Sequence, residues 1–389
     1  MPKRQSRIEK LIAELCPQGV EFKPLGKIAT LTRGVRVVRS QLTEDGEYPV
    51  YQNSMTPLGY YEANNCPANT TFVISAGAAG EIGYSTVDFW AADDCFYFVC
   101  PEQLQSRFLY YALLCQQKYL FSRVRRASVP RLARPVVQGI KIPIPPLVIQ
   151  QEIVKILDTF TKLEAELEAE LEARKKQYKY YRDELLTFGE DVEWKVLGEV
   201  ATLITKGTTP KLFTNSGINF VKLESFEGGK INPAKFAFVH KETHCKELKR
   251  SILEADDILF AIAGATIGKC AMVEENILPA NTNQALAIVR LGTGANVRFI
   301  FHYMQTIAMS EYIAKYNKTS AQPNLNLQQM SNFPVPIPPL AEQERIVAIL
   351  DKFDALVNDI SVGLPAELNA RREQYEHYRN KLLSFKEYE

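Results

Sequence analysis

At 389 residues, 46% of them hydrophobic and 23% charged, the chain has the length and composition of two to three ordinary globular domains. No apolar run approaches the ~18 residues of a membrane span, and the polar, basic start Met1 to Lys10 is no signal peptide, so a cytoplasmic protein is expected. Seven cysteines with no C-x-x-C pair and no even framework exclude a disulfide scaffold and predict reduced, mostly buried thiols. The net charge of +1 conceals a division: residues 1–140 carry +4 and 196–340 carry +3, whereas 141–195 and 341–389 carry −3 each. Basic segments alternate with acidic ones.

Residues 1–19 read as a short helix with Ile8, Leu11, Ile12 and Leu15 on one face, closed by the turn Cys16-Pro17-Gln18-Gly19. Val20-Glu21-Phe22-Lys23-Pro24-Leu25-Gly26 follows, and it returns as Val192-Glu193-Trp194-Lys195-Val196-Leu197-Gly198. Each copy opens a module of short strand-like runs separated by Gly, Pro and Asn and followed by one helix, Arg107 to Leu120 in the first and Arg298 to Ile313 in the second. This predicts an α+β module with a curved antiparallel sheet. Gly77, Gly80 and Gly83 superficially resemble a nucleotide-binding loop. No parallel βαβ pattern follows them, and the second copy keeps only Gly264 and Gly268, so a tight turn between strands is the better reading. Trp90 and Trp194 are expected to anchor the core, and His240, His244 and Cys245 to lie on the surface, since no fourth metal ligand accompanies them.

Each module ends in a proline-rich turn, Ile142-Pro143-Ile144-Pro145-Pro146-Leu147 and Val335-Pro336-Ile337-Pro338-Pro339-Leu340, followed by a long charged run. Ile153, Val154, Ile156, Leu157, Asp158 and Phe160 recur 193 positions later as Ile346, Val347, Ile349, Leu350, Asp351 and Phe353. Tyr178, Tyr181, Arg182 and Leu185 recur as Tyr375, Tyr378, Arg379 and Leu382, now 197 positions apart. In the first run Ile153, Leu157, Phe160, Leu167, Leu171, Tyr178, Tyr181 and Leu185, with the polar Glu164 and Arg174 between them, step by threes and fours, the pattern of a coiled-coil seam. The second run has gained four residues, a stutter, at Gly363-Leu364-Pro365, where its helix is expected to break or restart. A helix of about 40 residues is roughly 60 Å long, and a compact second module bridges the two helices only if they are antiparallel. The expected plan is therefore an N-terminal helical segment (1–19), a first module (20–146), a central helix (147–190), a second module (191–339) and a C-terminal helix (340–389). The repeat is circularly arranged, with residues 1–19 packing near the C-terminus.

Two loops per module are candidates for contact with nucleic acid. In the first module they carry Arg33 and Arg36, with Arg39 just beyond, and the basic stretch Arg123, Arg125, Arg126, Arg131 and Arg134, part of an acid-free run from Arg107 that needs a polyanion to face. Their counterparts in the second are Lys206, Thr208, Thr209 and Lys211, with Lys222, and the segment holding Lys318, Thr319, Ser320, Gln322, Asn324 and Asn326. Arg suits guanine, Gln and Asn suit adenine, and glycine beside the cation permits close backbone approach to DNA. The plainer alternatives are ordinary surface turns and a solvated charge run. Phosphate-loop, methylase and nuclease signatures and a plausible Ser/His/Asp order are missing, which points away from an enzyme.

Two variable modules alternating with two similar helices, P-I-P-P-L and x-Q-x-x-I-V-x-I-L-D at each helix start, and R-x-x-Q-Y-x-x-Y-R-x-x-L-L-x-F at each end together resemble the specificity subunit of type I restriction-modification enzymes over essentially the whole chain. Gly207-Thr208-Thr209-Pro210-Lys211 adds to the likeness; Arg33-Gly34-Val35-Arg36 departs from it. The resemblance implies two target-recognition domains reading the halves of a bipartite, gapped site on double-stranded DNA, with the coiled coil setting the gap. It also implies partners: two methyltransferase subunits bringing S-adenosylmethionine, and restriction/translocase subunits bringing ATP and Mg2+, with no cofactor or metal in this chain and no membrane. The competing reading is a two-headed coiled-coil adaptor for protein or glycan.

Overall fold

A computed structural model of the chain describes residues 6–43, 45–317, 323–359 and 361–388. It divides into two compact units, Met1–Ala165 with Ala370–Glu389, and Glu166–Asn369. Each unit holds one α+β module and parts of both long helical runs.

The modules share a topology strand for strand. A four-stranded antiparallel sheet runs Thr30–Arg33, Cys95–Val99, Thr70–Ile74, Ile82–Ser85 in the first and Ala201–Lys206, Leu286–Leu291, Ile258–Ala261, Cys270–Met272 in the second. Thr70–Ile74 and Ile258–Ala261 are buried at every position, as their β-branched and aromatic content requires of interior strands. A three-stranded sheet stands beside each, centred on Tyr48–Tyr51 and on Ile218–Val221, both of which pair antiparallel with one neighbour and parallel with the other. A ribbon of two short strands, Phe22–Pro24 against Lys141–Pro143 and Trp194–Val196 against Pro334–Pro336, brings the chain in and out side by side. The glycine-rich segments are the turns between antiparallel strands, with Gly77, Gly80, Gly264 and Gly268 all at positive φ.

Each expected single helix is two. Ser106–Cys115 and Gln117–Ser122 meet at Gln116, whose backbone (φ −98°, ψ 4°) leaves the helical region, and Val297–Tyr303 stops before Ile307–Tyr316, with the Thr306 hydroxyl donating to the Tyr303 carbonyl at 2.7 Å. The second module also has a hairpin, Phe226–Glu227 against Lys230–Ile231, turned by Gly228 and Gly229 at positive φ. Trp90 is half-buried, its Nε1 donating to the Val35 carbonyl at 2.8 Å. Trp194, by contrast, is 43% exposed and therefore not a core anchor. His244 is likewise not a free surface residue: its Nδ1 lies 2.6 Å from Oδ1 of the buried Asn281. Cys16, Cys66, Cys95 and Cys270 are buried and free, and burial pushes the Cys66 thiol up to about 12, which leaves it inert.

The central helix is continuous from Leu147 to Leu185. The second run breaks where its four extra residues fall, into Leu340–Asn358 and Leu364–Leu382, with Pro365 in the first turn of the restart. The antiparallel pairing is visible in each unit separately. Phe160 stacks on Tyr378 (5.5 Å, 26°), and Phe353 stacks on Tyr181 (5.7 Å, 27°). These residues are repeat counterparts, so one contact is made twice with the helices exchanged. Along the seam Ile153, Leu157, Leu171, Tyr178, Ile346 and Leu350 are buried, Phe160, Leu167, Leu185, Phe353, Tyr375 and Leu382 half-buried, and Tyr181 and Tyr378 each 38% exposed. The circular arrangement also holds: the helix Arg7–Leu15 leads to Val20, whose N–H donates to the Lys386 carbonyl (2.8 Å) and whose carbonyl accepts from Tyr388 (2.9 Å).

The repeated motif residues fasten module to helix. Gln150, fully buried, donates to the carbonyls of Pro145 (2.8 Å) and Gln103 (2.9 Å) and accepts from the Gln105 N–H (2.9 Å). Its counterpart Gln343 donates to the Pro338 carbonyl (2.7 Å) and accepts from the Asn296 N–H (2.8 Å). Two turns on, Asp158 accepts from Arg107 (2.8 Å) and from the Tyr111 hydroxyl, and Asp351 from Arg298 (2.8 Å), with His302 Nε2 at 2.8 Å. Burial alone would raise the Asp351 carboxyl, but the bonds from His302 and Arg298 outweigh it and hold the group below its usual range.

Candidate nucleic-acid interface

In the first module the candidate loops converge on one end of the four-stranded sheet. Arg33 closes the first strand, and its Nε donates to the Asp93 carbonyl at 2.7 Å. Gly34 donates to the Cys95 carbonyl (2.9 Å) and Val35 to that of Ala91 (2.9 Å). The basic loop is pinched shut by reciprocal backbone bonds between Arg125 and Arg131 (2.9 and 3.1 Å), and its far side is sewn to the glycine turn, with Gly77 donating to Pro130 (3.1 Å) and Leu132 to Ser75 (2.8 Å). Ser75 in turn donates to the Asp94 carbonyl (2.7 Å). Arg33, Arg125, Arg126 and Arg131, all exposed, are thus presented by one lattice of backbone bonds.

The second module repeats this lattice with other side chains. Gly207 donates to Leu286 (3.1 Å), Thr208 to Thr282 (2.9 Å), and Ile262 to Ala285 (3.0 Å). Gly264 donates to Pro323 (3.0 Å), and the Asn317 side chain closes its loop by accepting from the Asn324 N–H (2.8 Å). Lys206, Thr209, Lys211 and Asn324 are exposed here, Thr208 and Lys222 are half-buried, and the Thr209 hydroxyl donates to Gln284. Lys318, Thr319, Ser320 and Gln322 lie outside the described residues.

Several expected residues take no part in this lattice of backbone bonds. Arg107 is held by Asp158 and lies over the rings of Tyr84, Tyr110 and Tyr111, so the acid-free run does not face a polyanion along its whole length. Arg134 starts a short helix and donates to the Leu31 carbonyl, lining a groove with Gly26–Leu31 and Val99–Pro101 at the other end of the sheet. Arg123 caps the helix Gln117–Ser122 with its guanidinium over Tyr119. Arg36, beside Val35, is exposed, and Arg39 begins a single 3-10 turn. Asn326 uses its side-chain oxygen to cap the helix Leu327–Ser331, accepting from Gln329 N–H at 2.8 Å. The glycines beside the cations have a different reason from the expected one: a Cβ on Gly34 would fall 2.2 Å from the Ala92 carbonyl oxygen, and one on Gly207 2.1 Å from that of Asn283. They admit the protein's own backbone.

A family model described as the type I restriction modification DNA specificity domain matches residues 17–173 and again 189–370. The chain belongs to this family. A type I restriction enzyme specificity subunit of Escherichia coli (EcoR124I/EcoR124II) is 36% identical over 258 residues, 63% of either chain, so this chain spans less than two thirds of that relative. A Haemophilus influenzae protein named as a type I restriction enzyme specificity subunit is 31% identical over 409 residues, covering 99% of this chain and all of the relative. The crystal structure of a type I restriction-modification S subunit from M. genitalium shares the fold, with a TM-score of 0.58 over 94% of this chain and 96% of that one at 17% identity.

For a DNA specificity domain, the residues that sequence reasoning missed are informative. Asp93 and Gln284 occupy equivalent turns inside the two clusters. Exposed aromatics accompany neighbouring cations: Tyr119 and Phe121 beside Arg123, and Phe213 (43% exposed) beneath the Lys222 ammonium at 4.5 Å. Tyr119 and Phe121 running into Arg123, Arg125 and Arg126, and Lys211-Leu212-Phe213, carried that signal.

Proposed function

We propose that this chain is the sequence-reading subunit of a type I restriction-modification complex, each module reading one half of a bipartite, gapped duplex site and the paired helices setting the gap. The observation that carries the reading is the twice-built loop cluster: one backbone lattice, two different sets of side chains, arginine-rich in the first module and Lys, Thr, Asn and Gln in the second. A shared scaffold with divergent donors and acceptors is what two readers of different half-sites require. The helices and their motif residues are alike in both copies, which suits docking of two like partners, the methyltransferase subunits, with S-adenosylmethionine bound there. Restriction/translocase subunits would bring ATP and Mg2+, and the complex would act on DNA in the cytoplasm. Among the described residues no helix is long and apolar enough to cross a membrane.

The test is selection from a random duplex library by the chain assembled with its methyltransferase partner. Two short conserved blocks at fixed separation are expected; enrichment of no sequence at all would overturn the reading and favour the adaptor.

A further inference from the structure

From the equivalent turns Ala92–Cys95 and Asn283–Leu286 we infer that Asp93 and Gln284 are specificity-determining residues, each reading one base in its module's half-site. The inference rests on the reading that the modules bind DNA.

The two turns are held identically. In each, the fourth residue donates back to the first, Cys95 to Ala92 (2.9 Å) and Leu286 to Asn283 (3.2 Å), which leaves Asp93 and Gln284 at the same position of the turn. The carbonyl of the next residue accepts from the strand that precedes the glycine turn, Asp94 from Ser75 and Ala285 from Ile262. The glycine after the basic residue presses on the first residue of the turn from the other side. The backbone of the turn is fixed and shared, and the side chain is what differs.

Asp93 is otherwise hard to account for. It is an acid whose carbonyl accepts from Arg33 in a cluster with Arg125, Arg126 and Arg131, yet its Oδ1 is buried without a hydrogen-bond partner. The other buried unpartnered side-chain atoms among the described residues belong to Gln105, Arg182 and Arg379, on or beside helices. A carboxylate that faces phosphates is repelled, and a buried acceptor left unmade costs stability. The repulsion disappears if the other carboxylate oxygen, Oδ2, which is not among the buried unpartnered atoms, meets an exocyclic amino group, cytosine N4 or adenine N6, through the major groove. Gln284 is exposed, and the Thr209 hydroxyl donates to its Oε1. That bond fixes the amide plane and leaves the NH2 and one oxygen lone pair free, the pair that meets adenine N7 and N6.

The experiment repeats the library selection with the full chain and its methyltransferase partner, comparing wild type with Asp93→Ala, Asp93→Asn, Gln284→Ala and Gln284→Glu. Asp93→Ala is expected to turn one invariant base of one half into a degenerate position, losing roughly 5- to 150-fold discrimination there, with the other half unchanged. Asp93→Asn, nearly isosteric, is expected to change the preference at that same position. The Gln284 variants are expected to do the same in the opposite half, with Gln284→Glu favouring cytosine. The remaining bases of the same half, still selected, report that the altered module is folded. Variants that keep both halves as in wild type overturn the inference and leave the function standing, whereas a wild type that selects no motif overturns the function itself.

Discussion

Gln150 and Gln343 are the smallest features by which the modules are tied to the helices, and removing them gives a result that can be worked from the structure. Gln150→Ala leaves the Gln105 N–H and the carbonyls of Gln103 and Pro145 without their partner, and Gln343→Ala leaves the Asn296 N–H and the Pro338 carbonyl. Both glutamines are fully buried, and an orphaned buried group costs ~1–3 kcal/mol, least at the carbonyl of exposed Gln103, which water can reach. Carbonyls keep a second lone pair and sit at the low end, which puts Gln150→Ala at about 3–5 kcal/mol and Gln343→Ala at about 2–4 kcal/mol. For units of about 200 residues, 3 kcal/mol corresponds to a fall in Tm of about 6–12 °C. Scanning calorimetry gives the size, and hydrogen exchange the place: faster exchange in residues 103–115 for the first variant and in 296–303 for the second. A shift below ~2 °C in both variants, or faster exchange in the module that was not altered, would refute the clamp.

Replacing Arg125 and Arg126 together by Ala is expected to reduce the slope of log K against log salt by about one to two units, since each phosphate contact contributes ~0.9; an unaltered slope in a salt titration places both away from the phosphates. Gly207→Ala puts a methyl 2.1 Å from the Asn283 carbonyl oxygen, so the second half-site is expected to be lost while the first is still selected. Asp351 is held below its ordinary 3.8 by His302 and Arg298 against the opposing effect of burial. Its contribution to stability is therefore complete above that ordinary value and lost as pH falls through the lower folded value. Urea unfolding of wild type from pH 6 downward should show this loss, and Asp351→Asn should flatten it. Deleting Leu163–Ala169 removes one heptad, roughly 10 Å of helix, and together with a matched deletion in the partner helix is expected to shorten the spacer by about three base pairs without altering either half. An unchanged spacer contradicts the ruler.

The large plan was legible because it is written in periodicity. Seam residues such as Leu157 and Leu350, the four added residues near Gly363, and the duplicated Pro-Ile-Pro-Pro-Leu turn announce two antiparallel helices and a circular repeat, and the structure has them. Chemistry within the modules was less legible, for physical reasons. A run of like charges does not reveal that Arg107 has Asp158 across a gap of 51 residues, nor that Arg134 turns to Leu31. A glycine next to a lysine looks the same whether it admits a phosphate or, as at Gly207, a carbonyl of its own chain. Asn326 carries the capping-box spacing to Gln329, a local signal that outranks base recognition and was available in the sequence. Asp93 and Gln284 were invisible because a strand-connecting turn acquires meaning only beside loops far from it in sequence.

The most direct measurement of the central claim is a genome-wide map of methylated adenines after co-expression of this chain with its methyltransferase partner in a host free of adenine methylation. One bipartite motif with a fixed gap is expected, its two halves interchanging independently when the modules 20–146 and 191–339 are swapped between relatives. Methylation lacking any two-part motif, or a swap that leaves both halves as they were, would contradict the account.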